Sequence, residues 1–358
     1  MKPAVTVLVD TYNHERFIEE ALVSVVEQDF PASDVEILVV DDGSTDRTAE
    51  IVRKFSRRVR LIEKPNGGQG SAFNAGIPEA HGEIVAFLDG DDWWAPNKLA
   101  CVVDAMKSDS GLGLVGHGLI VVQPDGQERT EILREGFRFQ ADKMEGARLF
   151  CCRGSFLGTS RMTIRADLLS RIGPVPQALT VQADEFLYTV AAVLAGVQIL
   201  PEALTYYRLH DSNAFQMTNS DPERLRRKQQ ALAELARCLY EQLRTRGLDR
   251  RVVRKITERL QADADQMRLS LDGGWPWETV ETEWKIYGVA HPDAPFSHRI
   301  FKLLTLLAAL ATPPRIFYGI QRKLSHSALY QRARKRWLPM PEMAHIQKDW
   351  RTGSSEET

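Results

Sequence analysis

Four short polar stretches of this 358-residue chain carry side chains capable of chemistry: Thr11-Tyr12-Asn13, Asp41-Asp42-Gly43-Ser44, Pro65-Asn66-Gly67-Gly68-Gln69-Gly70 and Asp89-Gly90-Asp91-Asp92. Asp89, Asp91 and Asp92 would repel one another if all were ionised at one strand end, and a divalent cation is the usual way such a group is neutralised. Hard oxygen donors select Mg²⁺ or Mn²⁺. An acidic turn ahead of a helix near Pro96 would use the same residues without a metal. The position of the acids after an apolar run favours the ligand role. The glycine-rich stretch lacks the Lys-Ser/Thr of a Walker loop, and no Gly-x-Gly-x-x-Gly follows the first apolar run. An NTPase and a dinucleotide dehydrogenase are therefore disfavoured.

Each polar stretch must be held by an element, and the apolar patterning supplies candidates. Val5–Val9, Val35–Val40, Val59–Ile62 and Ile84–Leu88 are apolar or near-apolar runs expected to form buried strands. Helical spacing links Phe17, Ile18, Ala21, Leu22, Val25 and Val26, with Asn13 as the expected cap. Further helices are expected at 46–56, 70–80 and 96–107, the last opened by Pro96 and carrying Leu99, Val102, Val103 and Met106 inward. The alternation predicts an α/β fold, a mostly parallel sheet sandwiched by helices, with ligands at the carboxyl ends of its strands. Past residue 110, Leu112–Gln123, a Pro-Asp-Gly turn and Arg161–Arg165 predict a mixed, partly antiparallel extension. Asp221 to Leu271 reads as two amphipathic helices broken at Arg246-Gly247, a helical appendage.

The runs VTVLVDTYNHERFIEEALVSVVEQDF, VEILVVDDGSTDRT, NGGQGSAFNAG and FLDGDDWWAP, in this order and spacing, resemble the inverting family 2 glycosyltransferases with the A-type nucleotide-sugar fold. The resemblance is dense over roughly the first 100 residues. It continues more thinly through MTIRADLLSRIG, ADEFLYTVAAVLAG and YYRLHDSN to about residue 215. It implies a catalytic domain over 1–215; beyond it, composition and patterning predict a helical appendage at 216–292, a basic amphipathic segment at 293–341 and a flexible tail at 342–358.

Carried over position by position, the resemblance makes Thr11 and Tyr12 part of a nucleoside pocket and Asp42 the acceptor for a base edge, uracil above all; an Asx turn would use Asp42 equally well. Asn66, Gly68, Gln69 and Asn74 are implied to line the sugar nucleotide, although an ordinary helix-start loop accounts for Asn74 as readily. Asp89 is implied to bind the donor ribose, and Asp91, Asp92 and His210 to hold the metal, Asp91 foremost. Arg208 would supply charge to the diphosphate. Asp184 falls where the family places its general base, but Ala183 stands where a Glu is usual, leaving Glu185 as the nearby acid. Asp10 stands where the family often has Pro. The Gln-x-x-Arg-Trp signature of processive polymerases is absent, which favours single addition. The implied activity is inverting transfer of one sugar from a nucleoside-diphosphate sugar to a hydroxyl acceptor in surface polysaccharide or glycolipid assembly. A sugar nucleotidyltransferase and a non-catalytic nucleotide-sugar-binding protein are the alternatives.

Composition bounds these expectations. Hydrophobic residues make up 43% of the chain and charged ones 26%, which suits a folded protein. A net charge of −2 leaves no global field for nucleic acid. Cys101, Cys151, Cys152 and Cys238 form neither a Cys-x-x-Cys nor a Cys/His pattern, consistent with free thiols in a reducing compartment. The near-apolar run at Ala4–Val9 is too short for a signal h-region, and Leu303–Ala311 falls short of the ~20 residues that span a bilayer. The expected location is cytoplasmic, including the inner face of the cell membrane.

Ala294–Pro341 contains nine Lys or Arg and no acid, around the apolar Ile300, Phe301, Leu303, Leu304, Leu306, Leu307 and Leu310. Two uses fit this segment equally. It suits a helix lying in an anionic membrane surface near a lipid-linked acceptor, or a helix whose leucines pack against the catalytic domain or another subunit.

Overall fold

Unbroken β-branched and leucine runs build the centre of the molecule. The computed structural model describes residues 2–131, 135–153, 156–211, 213 and 221–325, and the chain divides into two compact units. The first comprises residues 1–142 and 155–214. It opens with β1 (Val5–Thr11), α1 (Ile18–Val26), β2 (Val35–Asp41), α2 (Thr48–Arg53), β3 (Val59–Glu63), α3 (Gln69–Gly76) and β4 (Ile84–Asp89). β1 pairs in parallel with β2 on one side and β4 on the other, and β2 with β3, giving the expected βα pattern.

The chain continues through β5 (Trp93–Trp94), α4 (Lys98–Ser108), β6 (Leu112–Val122), β7 (Glu128–Glu131) and β8 (Phe137–Phe139). After α5 (Met144–Arg153), which belongs to the second unit, come β9 (Thr163–Arg165), α6 (Ala166–Ile172), α7 (Ala183–Leu194) and β10 (Gly196–Arg208). The sheet order is β3-β2-β1-β4-β9-β6-β10-β5, with β7 beside β6 and β8 beside β10. β9 is antiparallel to both β4 and β6, so the extension is mixed.

Side-chain alternation places Val5, Val7 and Val9 on one face of β1, packed with Ile18, Ala21, Leu22 and Val25 of α1 and with Leu99, Val102 and Met106 of α4. On the other face Phe87 meets Phe73 of α3, ring centroids 5.1 Å apart. One expectation needs correction. Asn13 does not cap α1, which starts at Ile18; it adopts a left-handed conformation (φ 56°) and its amide oxygen accepts the Thr45 N–H at 2.8 Å. Asn and Asp tolerate that conformation better than other side chains.

The second unit contains α5 and residues from 215 onward. Its helices are α8 (Pro222–Thr245), α9 (Arg250–Asp272), α10 (Trp277–Ala290), α11 (Phe296–Ala311) and α12 (Pro314–Ser325). Asp221 caps α8 by accepting the Glu223 N–H, and Asp249 caps α9 by accepting the Arg251 N–H. Cys151 of α5 packs with Ala262 of α9 and Ile286 of α10. Buried Glu283 of α10 ties in the last two helices, accepting from Lys302 Nζ of α11 at 2.8 Å and from the Tyr318 hydroxyl of α12 at 3.3 Å. Among the described residues no helix is long and apolar enough to cross a membrane. The tail expected at 342–358 and the basic residues Arg332, Arg334, Lys335 and Arg336 lie outside the described residues.

Candidate functional site

Register brings the polar stretches together. Asp10 lies beside Asp89 across the β1/β4 pair, and Thr11 beside Asp41 across β1/β2. Backbone bonds carry the ladders past the strand ends, Asp42 N–H to Thr11 O and Gly90 N–H to Asp10 O, each 2.9 Å. The carboxyl ends of three adjacent parallel strands thus converge on one edge, where open α/β sheets bind ligands.

Asp89, Asp91 and Asp92 each offer a carboxylate oxygen within 4.8 Å of the others. Their environments differ sharply. Asp91 Oδ2 lies 2.9 Å from His210 Nε2 and 3.7 Å from His14 Nε2. Burial opposes its ionisation, but the His210 hydrogen bond and the nearby His14 outweigh burial and hold its pKa below the ordinary aspartate value. Asp92 is 1% exposed. Its Oδ2 accepts the Ser160 hydroxyl at 2.6 Å and its Oδ1 accepts the Arg208 N–H at 3.1 Å. Burial and then the charge of Asp91 push the Asp92 pKa well up, and its two oxygens already fasten β10 to the turn at Ser160. Burial and the neighbouring Asp10 likewise raise the Asp89 pKa. The expected ligands Asp91, Asp92 and His210 thus stand together with Asp89 beside them, and Asp91 is the one whose charge is sustained.

Gly90 explains how Asp91 and His14 come close. A Cβ at residue 90 would sit 2.6 Å from Thr11 Oγ1 and 2.9 Å from His14 Nδ1, so no side chain fits there. Thr11 is itself buried, its hydroxyl 3.2 Å from that imidazole nitrogen; it shapes the loop from within. Tyr12, by contrast, stands exposed at the strand end, with a ring face available for stacking. Arg208 lies over the rings of Trp93 and Phe17 while its Nε donates to Asp91 O and its Nη2 to Glu20. Its charge is braced against the Asp91 loop and α1.

Asp42 is buried and heavily engaged: its carboxylate accepts the N–H groups of Gly67 and Gly68 and the ammonium of Lys64. It holds the glycine-rich loop closed on the strand end. The expected base-edge acceptor thus also fastens this loop. Gly68 has φ +83°, and a Cβ there would meet Thr180 O at 2.3 Å, so only glycine fits. Asn66 is exposed in this loop. Asn74 is engaged as well. Its amide donates to Val175 O and accepts from Val175 N–H, both at 2.8 Å, so both ends bracket α3 to the 175 segment.

Gln69 connects the two halves of the site. Its Nε2 reaches Asp89 Oδ1 at 3.4 Å and Thr159 Oγ1 at 3.0 Å, while its Oε1 accepts the Ala183 N–H at the start of α7. Thr159 in turn donates its N–H and hydroxyl to Asp184 Oδ2, and Asp184 Oδ1 accepts the Glu185 N–H at 2.8 Å. A hydrogen-bonded chain Asp89–Gln69–Thr159–Asp184 results. Burial raises the Asp184 pKa, and the bonds from Glu185 and Thr159 work against that rise. Thr159 is the neighbour whose hydroxyl bonds the Asp184 carboxylate.

Four functional neighbours lay outside the sequence expectations. His14, Lys64, Thr159 and Ser160 all touch expected site residues. His14 and Lys64 adjoin motifs and could have been found from the strand-end rule. Thr159 and Ser160 sit in a short 3₁₀ turn without a pattern of its own. Asp10, noted only as a departure from the family, has a buried Oδ1 with no hydrogen-bond partner.

Residues 6–167 match the family model for glycosyl transferase family 2. An uncharacterized glycosyltransferase of Nostoc sp. (strain PCC 7120) is 32% identical over 242 residues, covering 64% of this chain and 72% of its own length. The poly(ribitol-phosphate) β-N-acetylglucosaminyltransferase TarS of Staphylococcus aureus is 30% identical over 195 residues, 45% of this chain but only 34% of TarS. In fold, the chain resembles the crystal structure of S. aureus TarS residues 1–349 in complex with UDP-GlcNAc, with a TM-score of 0.58 at 18% identity, covering 100% of this chain and 93% of that one. With the acidic strand ends, the nucleotide-sugar fold and these relatives together, the chain belongs to glycosyl transferase family 2.

Proposed function

We propose that this glycosyltransferase moves a single sugar from a nucleoside-diphosphate donor, a UDP-sugar, to an acceptor hydroxyl with inversion at the anomeric carbon. The observation that carries the reading is the chain Asp89–Gln69–Thr159–Asp184, which ties a strand-end carboxylate to a half-buried one of raised pKa. TarS, whose name makes it an N-acetylglucosaminyltransferase and whose structure was solved with UDP-GlcNAc, supports a uridine donor.

In this reading Tyr12 stacks on the base, and Asn66 and the backbone of Gly68 border the donor, a loop whose shape Asp42 and Lys64 maintain. Asp184 accepts the proton of the acceptor hydroxyl as that oxygen bonds to the anomeric carbon. The bond from that carbon to the diphosphate oxygen breaks, and its electron pair leaves with the nucleoside diphosphate. One displacement inverts the centre. A raised pKa suits a base whose task is to take a proton near neutral pH.

The clustered Asp89, Asp91 and Asp92 oxygens fit a hard divalent cation, Mn²⁺ or Mg²⁺, with Asp91, Asp89 and His210 as its holders. When bound, such an ion neutralises charge developing on the departing diphosphate. The acceptor is a hydroxyl of a surface polysaccharide or lipid-linked glycan, met at the inner face of the membrane.

A panel of nucleotide sugars tested for Mn²⁺-dependent binding and slow hydrolysis identifies the donor without an acceptor. Asp184→Asn should then lower turnover by roughly 10²-fold or more, the typical worth of a positioned base, with donor affinity nearly unchanged. A product that keeps the donor's anomeric configuration would refute the single displacement.

A further inference from the structure

The two uses left open for the acid-free C-terminal segment make different demands on α11. Packing against its own chain would bury the leucines. Instead Phe296 is 79% exposed, Phe301 66%, Leu304 59% and Leu307 51%, whereas Leu306 is 4% exposed. Phe296, Ile300, Leu303, Leu304 and Leu307 recur at i, i+4, i+7, i+8 and i+11, one stripe along the helix. The buried side is a different one. Leu306 and Ala309 pack with Val280, and Lys302 reaches Glu283. The helix has its polar anchor and its core contact on the inside and its large apolar side chains in water.

α12 repeats the arrangement. Ile316, Ile320 and Leu324 are each about half exposed at i, i+4 and i+8, while Tyr318 is buried against Glu283. Arg315 at its start donates to Asp272 O at the end of α9. Trp275, between α9 and α10, and Trp277, the first residue of α10, are also exposed, the residue type favoured where protein meets a membrane interface. The exposed apolar stripe of α11 is of the kind that marks an interaction site.

We propose that the outer faces of α11 and α12 dock on an anionic lipid bilayer surface, lying in its interface without crossing it. Charge selects this occupant. Besides Lys302, which is paired with Glu283, the two helices contain Arg299, Arg315, Arg322 and Lys323 and no Asp or Glu, a composition that matches a negative headgroup layer and attracts it electrostatically. The inference goes beyond the donor reading and does not depend on it.

Sedimentation of the full-length protein with phosphatidylglycerol/phosphatidylcholine vesicles, against phosphatidylcholine alone, tests the docking. The expected result is binding to the anionic vesicles that weakens as salt rises and falls about tenfold or more in Phe301→Glu/Leu304→Glu. Both positions are exposed, so the variant should keep the wild-type Tm and the wild-type hydrolysis of nucleotide sugar. Absence of vesicle binding at low salt, or equal binding by the variant, overturns the proposal. So does light scattering that shows a wild-type oligomer which the variant dissociates while neither binds vesicles, since the face then belongs to a second copy.

Discussion

Thr159 donates twice to one oxygen of Asp184, through its backbone N–H at 3.1 Å and its hydroxyl at 3.3 Å. Both bonds favour the ionised carboxylate and oppose the burial that raises its pKa. Thr159→Val keeps the volume and the N–H but loses the hydroxyl. The Asp184 pKa should rise further, so activity that needs the carboxylate ionised should be lost at a higher pH on the acid side. At a fixed pH on that limb, kcat/KM should fall roughly tenfold to a hundredfold, the worth of a hydrogen bond to a charged group, while donor KM stays near wild type. Thr159→Ser should restore the profile. An unmoved acid limb in the valine variant would separate Thr159 from Asp184.

Asp91 and Asp92 are neighbours in sequence with different work, and a matched pair of asparagine substitutions should show it. Asp91→Asn removes the carboxylate whose charge His210 and His14 sustain, so Mn²⁺-dependent donor binding should weaken by about tenfold or more, with little change in Tm. In Asp92→Asn only one amide oxygen remains to accept, against two bonds now made to Ser160 and Arg208 N–H. The cost should be a loss of stability of about 1–3 kcal/mol, read by denaturant unfolding. Isothermal titration with the metal and donor completes the test. Equal loss of metal dependence in the two variants would make Asp92 as much a ligand as Asp91.

The strand-end chemistry was legible because parallel strands must be apolar throughout, so Val35–Val40 and Ile84–Leu88 announce where the chain turns polar. What stayed hidden acts through atoms that sequence does not advertise. Ser160 O accepts from Trp94 Nε1, Lys98 Nζ and Thr205 Oγ1, a backbone carbonyl serving as the hub of the site's floor. Lys98 looked like an ordinary polar position of an amphipathic helix. It is fully buried, its ammonium nitrogen 3.2 Å from the centre of the Trp94 ring, and burial drives its pKa well down. Asp42 and Asn74 carried the right side chains for ligand contact, but only geometry reveals that Gly67, Gly68, Lys64 and Val175 already use them.

Asp10 gives the pH dependence its sign. Burial first, and then the charge of Asp91, raises its pKa to about 8 against a hydrogen bond with Asp89 that lowers it. In the unfolded chain an ordinary aspartate ionises near pH 4. Between pH 4 and 8 the native state therefore keeps a proton that the unfolded state has released. Stability rises with pH only where the unfolded state binds more protons. Here it binds fewer, so the Asp10 contribution destabilises progressively as pH rises through that window and levels off above about 8. Asp10→Asn mimics the protonated acid and cannot ionise. Its Tm should match wild type near pH 4 and exceed it by several degrees at pH 8. Chelator must be present, because a cation beside Asp89 and Asp91 would favour ionised Asp10 and shrink the difference. Thermal unfolding of both proteins at intervals of pH reads the gap directly. A gap that stays constant from pH 4 to 8 would mean that Asp10 does not retain its proton on folding.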